Sequence, residues 1–435
     1  MVTAQLRLQR SRATTAHLCS AYPFLAEEGL GPNGVWMGTN LLTGGGGFAF
    51  DPFTAYTAGV LTNPNMLFAG EPGVGKSATA KVFISRSVGV FGRWVAIADP
   101  KGEYGPLAES LGLSVIKLQP GGSTRINPLD PGPAGANETP DEIARRQTEM
   151  VAALVGTVLG RDLSPVEDAV VGWAIAELHA DSRGEPQLGD IAARMADPSE
   201  RMCENARTDA ADLRRSVEAA IYAIGKMLDR SLRGMFDGPT NVAVDWDGPG
   251  IVIDLSAVHH DSEALTLVMV ATTAWLQTLM ARPNGPRRIQ VLDEAWALLG
   301  SERTSRYLQA CWKLSRSYGV ANIAIVHRLS DLRSQSDDGT MSSKVSMGLL
   351  ADTQTRVLFR QATDQITEAR SLLGLTTTEA ALLPRLAKGR ALWKIGGRTA
   401  VVAHTIGPDE VAFCDSDAAM TDKPPGCRAT GPVGQ

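Results

Sequence analysis

The stretch Gly70-Glu71-Pro72-Gly73-Val74-Gly75-Lys76-Ser77 decides the fold of this chain. It has the form G-x-x-x-x-G-K-[ST] of a phosphate-binding loop, in which backbone N–H groups and a helix start surround phosphate oxygens. The apolar run 65–69 before it is typical of a buried strand, and the alanine-rich run 77–88 after it is typical of a helix. The motif therefore has the strand–loop–helix setting that it requires. A plain glycine-rich turn is the alternative interpretation.

The residue types of this loop predict the contacts of a bound nucleotide. We expect the backbone N–H groups of 73–77 to bind phosphate oxygens, Lys76 to reach the β- and γ-phosphates, and Ser77 to ligate Mg²⁺. The predicted nucleotide-binding residues of the loop are Gly70, Glu71, Pro72, Gly73, Val74, Gly75, Lys76, Ser77 and Ala78.

Composition indicates a globular protein with room for one large domain or two to three ordinary ones. Of its 435 residues, 44% are apolar and 20% are charged. The net charge of -5 argues against a surface that coats nucleic acid, although a local basic channel stays open as an alternative.

The basic N-terminus has no apolar run typical of a signal peptide, and we expect the apolar segment 265–281 to be a buried helix rather than a membrane span. The cysteines lack metal-site spacing and are predicted to be free thiols: Cys19, Cys203, Cys311, Cys414 and Cys427.

From residue 65 onward, short apolar runs alternate with helical patterns, which predicts an α/β fold with a mainly parallel sheet. The candidate strands are 65–69, 94–98, 114–118, 250–255, 288–292, 322–326 and 356–359, with 391–395 and 400–406 at one edge. Residues 35–42 and 48–53 predict a hairpin around the glycine run 44–47, which lacks the Lys-Ser/Thr of a second phosphate loop.

The alternation breaks after a stretch rich in proline and glycine at 128–140. Two helix-start signatures follow, Thr139-Pro140-Asp141-Glu142 and Ser164-Pro165-Val166-Glu167, and further helical stretches lie at 188–195 and 208–236. We therefore predict an all-α insertion at 137–240 that divides a P-loop NTPase domain into 61–136 and 241–412. Residues 1–60 are interpreted as a lead-in, and the polar segment 413–435 as a disordered tail.

A second half of a nucleotide site is predicted after the apolar run 289–292. There, Asp293 would hold Mg²⁺ through water, and Glu294 would orient and deprotonate the attacking water. An acidic pair at a helix start can also serve only to complement the helix dipole. Combined with the loop at 70–77 in a matching α/β pattern, the pair favours ATP hydrolysis over nucleotide storage.

Further candidate residues lie at the ends of neighbouring elements. His327 follows the strand 322–326 and is predicted to be a polar sensor of the γ-phosphate, with an ordinary loop histidine as the alternative. Arg316, at the end of the helix 304–317, is a candidate arginine finger for a neighbouring subunit, with a helix-dipole partner as its alternative and Arg360 as its rival. Glu103, in the turn 98–105, is predicted to join the water or Mg²⁺ network, unless that segment is a plain turn.

Taken together, these residues resemble the HerA/FtsK superfamily of ring-forming motors, in particular the Vir/TraC-type ATPases of conjugative type IV secretion systems. The resemblance covers roughly 30–410. It departs from the family in two ways: a strand ends in Val326-His327 where the family usually has Gln, and only 69 residues precede Gly70 where the family carries a long N-terminal domain. The stretches that carry it are the 70–77 loop, Asp99-Pro100-Lys101-Gly102-Glu103-Tyr104, Ile126-Asn127-Pro128-Leu129-Asp130, Leu292-Asp293-Glu294-Ala295-Trp296 and the turn 316–319.

This resemblance implies a RecA-like P-loop NTPase with ATP and Mg²⁺ as cofactors and the inserted helical subdomain at the family's position. It further implies Mg²⁺-dependent ATP hydrolysis by a homo-hexameric ring that drives conjugative transfer. The implied partners are secretion or conjugation proteins at the cytoplasmic face of the membrane, through which alone the chain would contact that membrane. Two alternatives stay open: a DNA translocase or coupling protein with DNA in its pore, and a low-turnover assembly module.

Overall fold

The computed structural model describes residues 33–132, 139–181, 184–281, 285–299, 302–327 and 353–414. Strands from these residues form one sheet in the order β2-β1-β11-β10-β9-β3-β8-β7-β4-β6-β5. The strands are β1 (Val35–Asn40), β2 (Gly46–Phe50), β3 (Met66–Ala69), β4 (Trp94–Asp99), β5 (Ser114–Lys117), β6 (Gly250–Asp254), β7 (Arg288–Leu292), β8 (Val320–Val326), β9 (Thr355–Leu358), β10 (Arg390–Ile395) and β11 (Arg398–His404).

Helices of the described residues cover both faces of the sheet. Those in the chain segment that connects β5 to β6 form a separate helical layer. They are α1 (Pro52–Thr57), α2 (Lys76–Phe91), α3 (Gly105–Leu111), α4 (Pro140–Leu159), α5 (Pro165–Ala180), α6 (Leu188–Ala196), α7 (Glu200–Ala206), α8 (Ala210–Ser216), α9 (Glu218–Lys226), α10 (Ser262–Met280), α11 (Trp296–Leu299), α12 (Glu302–Ser315), α13 (Ile366–Leu373), α14 (Thr377–Leu382) and α15 (Val411–Cys414). A π-helix, Met227–Ser231, continues α9.

The seven strands from β9 to β5 in this order run parallel to one another. Central strands such as β3 and β8 are buried along their whole length, because helices cover both faces of a parallel sheet. The predicted α/β class with a mainly parallel sheet is confirmed, and each predicted strand is present. Since parallel strands end at the same edge, the loops after β3, β4, β7 and β8 come together there.

The remaining strands are antiparallel and extend the sheet beyond β9. The predicted hairpin is confirmed as β1 and β2, and β1 pairs with β11 as well. Its turn uses left-handed glycines, with φ of +70° at Gly44 and +100° at Gly45. Residues 1–32 of the predicted lead-in lie outside the described residues.

The start of the predicted tail differs from the expectation. Phe413 and Cys414 are buried in α15, which packs against α2 and α3, because this short apolar segment covers the outer face of those helices. Residues 415–435 lie outside the described residues. Within the described chain, Cys203, Cys311 and Cys414 are free thiols, as predicted.

The helical layer begins with the two predicted capping boxes. The side chains of Thr139 and Ser164 accept hydrogen bonds from the N–H groups of Glu142 and Glu167, whose carboxylates bond back to the cap residues. Helix α4 packs against α5, α10 and α12, so this layer shares a core with the sheet domain.

Helix α10 is the described helix that is long and apolar enough to cross a membrane. However, 83% of its apolar window is buried inside the protein. Its contacts with α4, α11 and β4 explain the apolar composition through core packing, in line with the predicted buried helix.

Candidate active site

The loop between β3 and α2 is shaped by its glycines. Gly73 and Gly75 have φ of +75° and +106°, which favour glycine, and Gly75 is the N-cap residue of α2. A Cβ atom on Gly70 would lie 2.6 Å from the Cβ atom of Phe359, so a side chain does not fit there. The backbone of the loop is therefore free to approach an anion at the start of α2, as the motif predicts.

Lys76 is buried and folds back onto its own loop. Its Nζ atom donates hydrogen bonds to the carbonyl oxygens of Gly70 and Glu71, both at 2.7 Å. Burial lowers the pKa of this ammonium group to about 8. Phosphate oxygens are stronger acceptors than these carbonyls, because both partners of the bond would then be charged.

A cavity of about 250 Å³ opens in front of the loop. Its cationic side chains, Lys76, Lys101 and Lys388, suit a polyphosphate, and Glu103 and His327 complete its polar wall. Three predicted loop contacts do not line it: Gly70 lies against Phe359, Val74 faces the core and Glu71 turns outward. The lining residues are Pro72, Gly73, Gly75, Lys76, Ser77, Ala78, Lys101, Glu103, His327, Lys388 and Cys414.

The acidic pair follows β7, between the ends of β4 and β8. Asp293 is buried, and its carboxylate accepts hydrogen bonds from the Glu294 N–H at 2.9 Å and from the Tyr104 hydroxyl at 3.2 Å. Burial and the neighbouring Glu294 charge raise the pKa of Asp293 to about 6. Glu294 has a φ of +53°, which is rare for a residue other than glycine and is often found at functional sites.

Both carboxylate oxygens of Glu294 have partners. Oε1 contacts the Lys101 ammonium and lies 2.5 Å from His327 Nε2, while Oε2 accepts a hydrogen bond from Trp296 Nε1. Burial opposes ionisation, but the bonds from His327 and Lys101 outweigh it and lower the pKa of Glu294 to about 2. The group is thus an ionised carboxylate held in one position.

The turn after β4 joins the two halves of the site. Asp99 organises this turn by accepting hydrogen bonds from the N–H groups of Lys101, Glu103 and Tyr104 at 2.9 to 3.3 Å. Lys101 thereby reaches Glu294, while Tyr104 reaches Asp293. Neither residue has a predicted role from the sequence, although the position of their turn after a strand end was the available signal.

Of the two candidate finger arginines, Arg316 lies apart from this centre and Arg360 lies beside it. Arg316 is at the amino end of β8, where its Nη1 atom donates to the Thr62 carbonyl oxygen at 3.2 Å. The length of β8 separates it from His327 by roughly 20 Å at about 3.3 Å per residue. Arg360 instead lies beside the loop, with its Nε atom 3.0 Å from Glu71 Oε2. Arg316 therefore does not reach the site of its own chain.

The residues predicted to hold Mg²⁺ are Ser77 and Asp293. Ser77 lines the cavity, whereas Asp293 is buried and does not line it. No group of three or more His, Cys, Asp or Glu suited to a metal ion occurs among the residues that the structure describes. A hydroxyl and one carboxylate nevertheless fit Mg²⁺ in an NTPase, where water and substrate phosphates supply the other ligands.

The chain shares its fold with VirB4 and with the plasmid coupling protein TrwB. VirB4 of Thermoanaerobacter pseudethanolicus superposes with a TM-score of 0.70 at 20% identity, covering 88% of this chain and 100% of that one. The plasmid coupling protein TrwB bound to ADP and Mg²⁺ gives 0.55 at 16% identity, covering 79% and 86%. Its complex with ADPNP gives 0.56 at 16% identity, covering 79% and 85%. No protein family model and no curated protein matches the chain by sequence.

These likenesses confirm the predicted resemblance at the level of the fold. Each extends over more than three quarters of both chains. The shared fold is therefore the α/β fold with a mainly parallel sheet and flanking helices.

Proposed function

We propose that this chain is a Mg²⁺-dependent ATPase that acts as a ring-forming motor in conjugative transfer or type IV secretion. The observation that carries the proposal is one cavity lined by the 70–77 loop and Lys76, in which the lining residue Lys101 contacts Glu294 of the buried Asp293–Glu294 pair. The shared fold with VirB4 and TrwB supports the setting. The solved complexes of TrwB with ADP and Mg²⁺ and with a GTP analogue support nucleotide binding as such.

The loop and its lysine would bind the phosphates of ATP. Lys76 would leave the carbonyl oxygens of Gly70 and Glu71 for the β- and γ-phosphates, and the N–H groups of 73–77 would bind the remaining oxygens. Ser77 and, through water, Asp293 would hold Mg²⁺, which supplies neutralisation of the phosphate charge.

Glu294 would act on the attacking water. The water oxygen forms a bond to the γ-phosphorus, the bond from that phosphorus to the β–γ bridging oxygen breaks, and Glu294 accepts the proton of the water. Because both oxygens of Glu294 are engaged in this structure, at least one of its contacts must open first. His327, which lies in the cavity wall, would then be free to sense the γ-phosphate.

The proposed assembly is a homo-hexamer in which Arg316 reaches the nucleotide of a neighbouring subunit. Its exposed position away from its own site is compatible with such a role. In this proposal the motor works in the cytoplasm, at the membrane only through secretion or conjugation proteins. A light-scattering mass with and without ATP tests the ring, and an unchanged monomer mass in both conditions would contradict it.

The test of the proposed activity is steady-state ATP hydrolysis with and without double-stranded DNA. Glu294→Gln provides the blank, and Glu109→Gln, on an exposed part of α3, is the matched control. We expect the control to keep the wild-type rate and the blank to lose at least tenfold while still binding ATP. A wild-type chain that binds ATP and hydrolyses none would overturn the motor and leave the assembly module.

The likeness to TrwB favours a second candidate, a DNA translocase or coupling protein. In that case DNA raises the Glu294-dependent rate, and the stimulation falls steeply with salt. A rate that does not respond to DNA supports the secretion motor instead.

A further inference from the structure

A second cavity, of about 430 Å³, lies beyond the carboxyl end of β5. Strand β5 is five positions from β3 in the sheet, which corresponds to roughly 24 Å at about 4.8 Å per strand. This cavity is therefore separate from the nucleotide site, although both open at the same edge of the sheet. Its lining residues are Pro120, Gly121, Gly122, Arg125, Asp229, Arg230, Arg233, Gly234 and Asp237.

Two closely apposed backbone segments form the floor of this arginine cavity. The Gly121 N–H donates to the Arg233 carbonyl oxygen at 2.8 Å. Gly234 has a φ of +76°, and a Cβ atom on it would lie 2.7 Å from the backbone nitrogen of Gly122, so only glycine fits. One rim is the π-helix Met227–Ser231, a rare conformation that is frequent at functional sites.

Asp237 binds both Arg125 and the backbone of the cavity floor. Oδ1 of Asp237 accepts from Arg125 Nε at 2.9 Å, and Oδ2 accepts from the Gly234 N–H at the same distance. The terminal amino groups of Arg125 take no part in this ion pair. Asp237 thus holds Arg125 in place and leaves those donors for another acceptor.

The other two arginines have no side-chain partner within the described part of the chain. Neither Arg230 nor Arg233 forms an ion pair or a side-chain hydrogen bond there, and both are exposed to solvent. The lining contains three arginines and two carboxylates, those of Asp229 and Asp237. It therefore carries an excess of positive charge, although the net charge of the chain is -5.

We propose that the arginine cavity binds the phosphate group of a phosphate ester. Guanidinium groups present paired N–H donors that match phosphate oxygens, and three of them converge here on one space. The lining residues include no aromatic side chain on which a base could stack, so recognition is directed at the phosphate. That phosphate belongs either to a small free ester or to a polynucleotide backbone.

Binding is tested on the full chain saturated with ADP and Mg²⁺, so that the loop at 70–77 is occupied. Glycerol 3-phosphate is titrated by calorimetry, and a labelled 20-base-pair DNA duplex by fluorescence anisotropy at two salt concentrations. The test variant is Arg230→Ala/Arg233→Ala. The matched control is Arg214→Ala/Arg215→Ala, on the exposed face of α8 in the same helical layer.

We expect the wild type and the control to bind at least one probe and the test variant to bind it at least tenfold more weakly. For the duplex, the salt slope of the test variant falls by about 2. Binding of glycerol 3-phosphate alone identifies a small free ester, and binding of the duplex alone identifies a polynucleotide backbone. The proposal is overturned if neither probe binds the wild type, or if both double variants bind equally. We expect the test variant to keep the wild-type rate of basal ATP hydrolysis. A loss of phosphate binding in the arginine cavity can therefore be distinguished from a failure of the proposed motor activity.

Discussion

Glu294 has to be held in place and yet be free to react. Its carboxylate is 2% exposed, whereas the side chain of Lys101, which contacts it, is 28% exposed and faces the cavity. Lys101 is therefore the partner that an arriving phosphate reaches first. If Lys101 leaves Glu294 to bind the arriving phosphate, substrate binding releases the Glu294 carboxylate to act as the base. Lys101 is therefore a positioning residue.

Substitution of Lys101 tests this coupling. Lys101→Met is expected to lower kcat/KM for ATP by tenfold or more, because a charge-assisted hydrogen bond contributes about 1.5–3 kcal/mol. Lys101→Arg retains the charge and most of the activity, and Lys117→Met, on the exposed face of β5, has no effect. Steady-state kinetics of the three variants decide the matter. An unchanged or increased kcat/KM in Lys101→Met would contradict the role.

The lowered pKa of Lys76 predicts pH-dependent nucleotide binding. The free protein loses the Lys76 proton above about pH 8, since burial disfavours the charge, whereas the bound phosphates retain it. Affinity for ADP should therefore decrease as the pH rises through 8, by up to about tenfold per pH unit. Calorimetry at pH 7 and 9 in two buffers should detect proton uptake at the higher pH. Lys76→Met should bind weakly at both pH values with no uptake, and equal uptake by both proteins would refute the assignment.

At the scale of elements, the turn after β4 connects two adjacent strand ends. The Tyr104 hydroxyl donates to Asp293 across the β4–β7 pair, and Tyr104 is fully buried. Its side chain thus joins the predicted Mg²⁺ ligand to the segment that carries Lys101. Rigidity of this connection would keep Asp293 and Lys101 at fixed positions on either side of Glu294.

Removal of that hydroxyl should weaken the connection measurably. Tyr104→Phe leaves a buried carboxylate oxygen without its donor and should lower the free energy of unfolding by about 1–3 kcal/mol. Tyr222→Phe is the matched control, because Tyr222 is 68% exposed and its change should stay within about 0.5 kcal/mol. Urea unfolding of both variants provides the values. Equal stability of the two variants would show that the Tyr104–Asp293 bond contributes nothing.

At the scale of the whole molecule, the fold was more predictable than the contacts within the site. Local patterns indicated the strands and the loop at 70–77, because apolar periodicity and glycine spacing are properties of short segments. The contact between Lys101 and Glu294 depends on β4 lying next to β7. The local sequence of neither segment predicts that strand order. The pairing of β1 with β11 and the burial of Phe413 likewise arise from distant parts of the chain.

Arg316 is the residue whose proposed role exists only in the assembly. If it acts in a neighbouring site, Arg316→Ala and Glu294→Gln should each be inactive alone, because every interface then lacks either the arginine or the base. Mixed before ring assembly at equal concentrations, they should recover up to about a quarter of the wild-type rate, since a quarter of the interfaces combine an intact base with an intact arginine. Arg360→Ala mixed with Glu294→Gln shows whether the rival arginine does the same. Full activity of Arg316→Ala alone would identify Arg316 as a helix-end residue that binds the Thr62 carbonyl and nothing more.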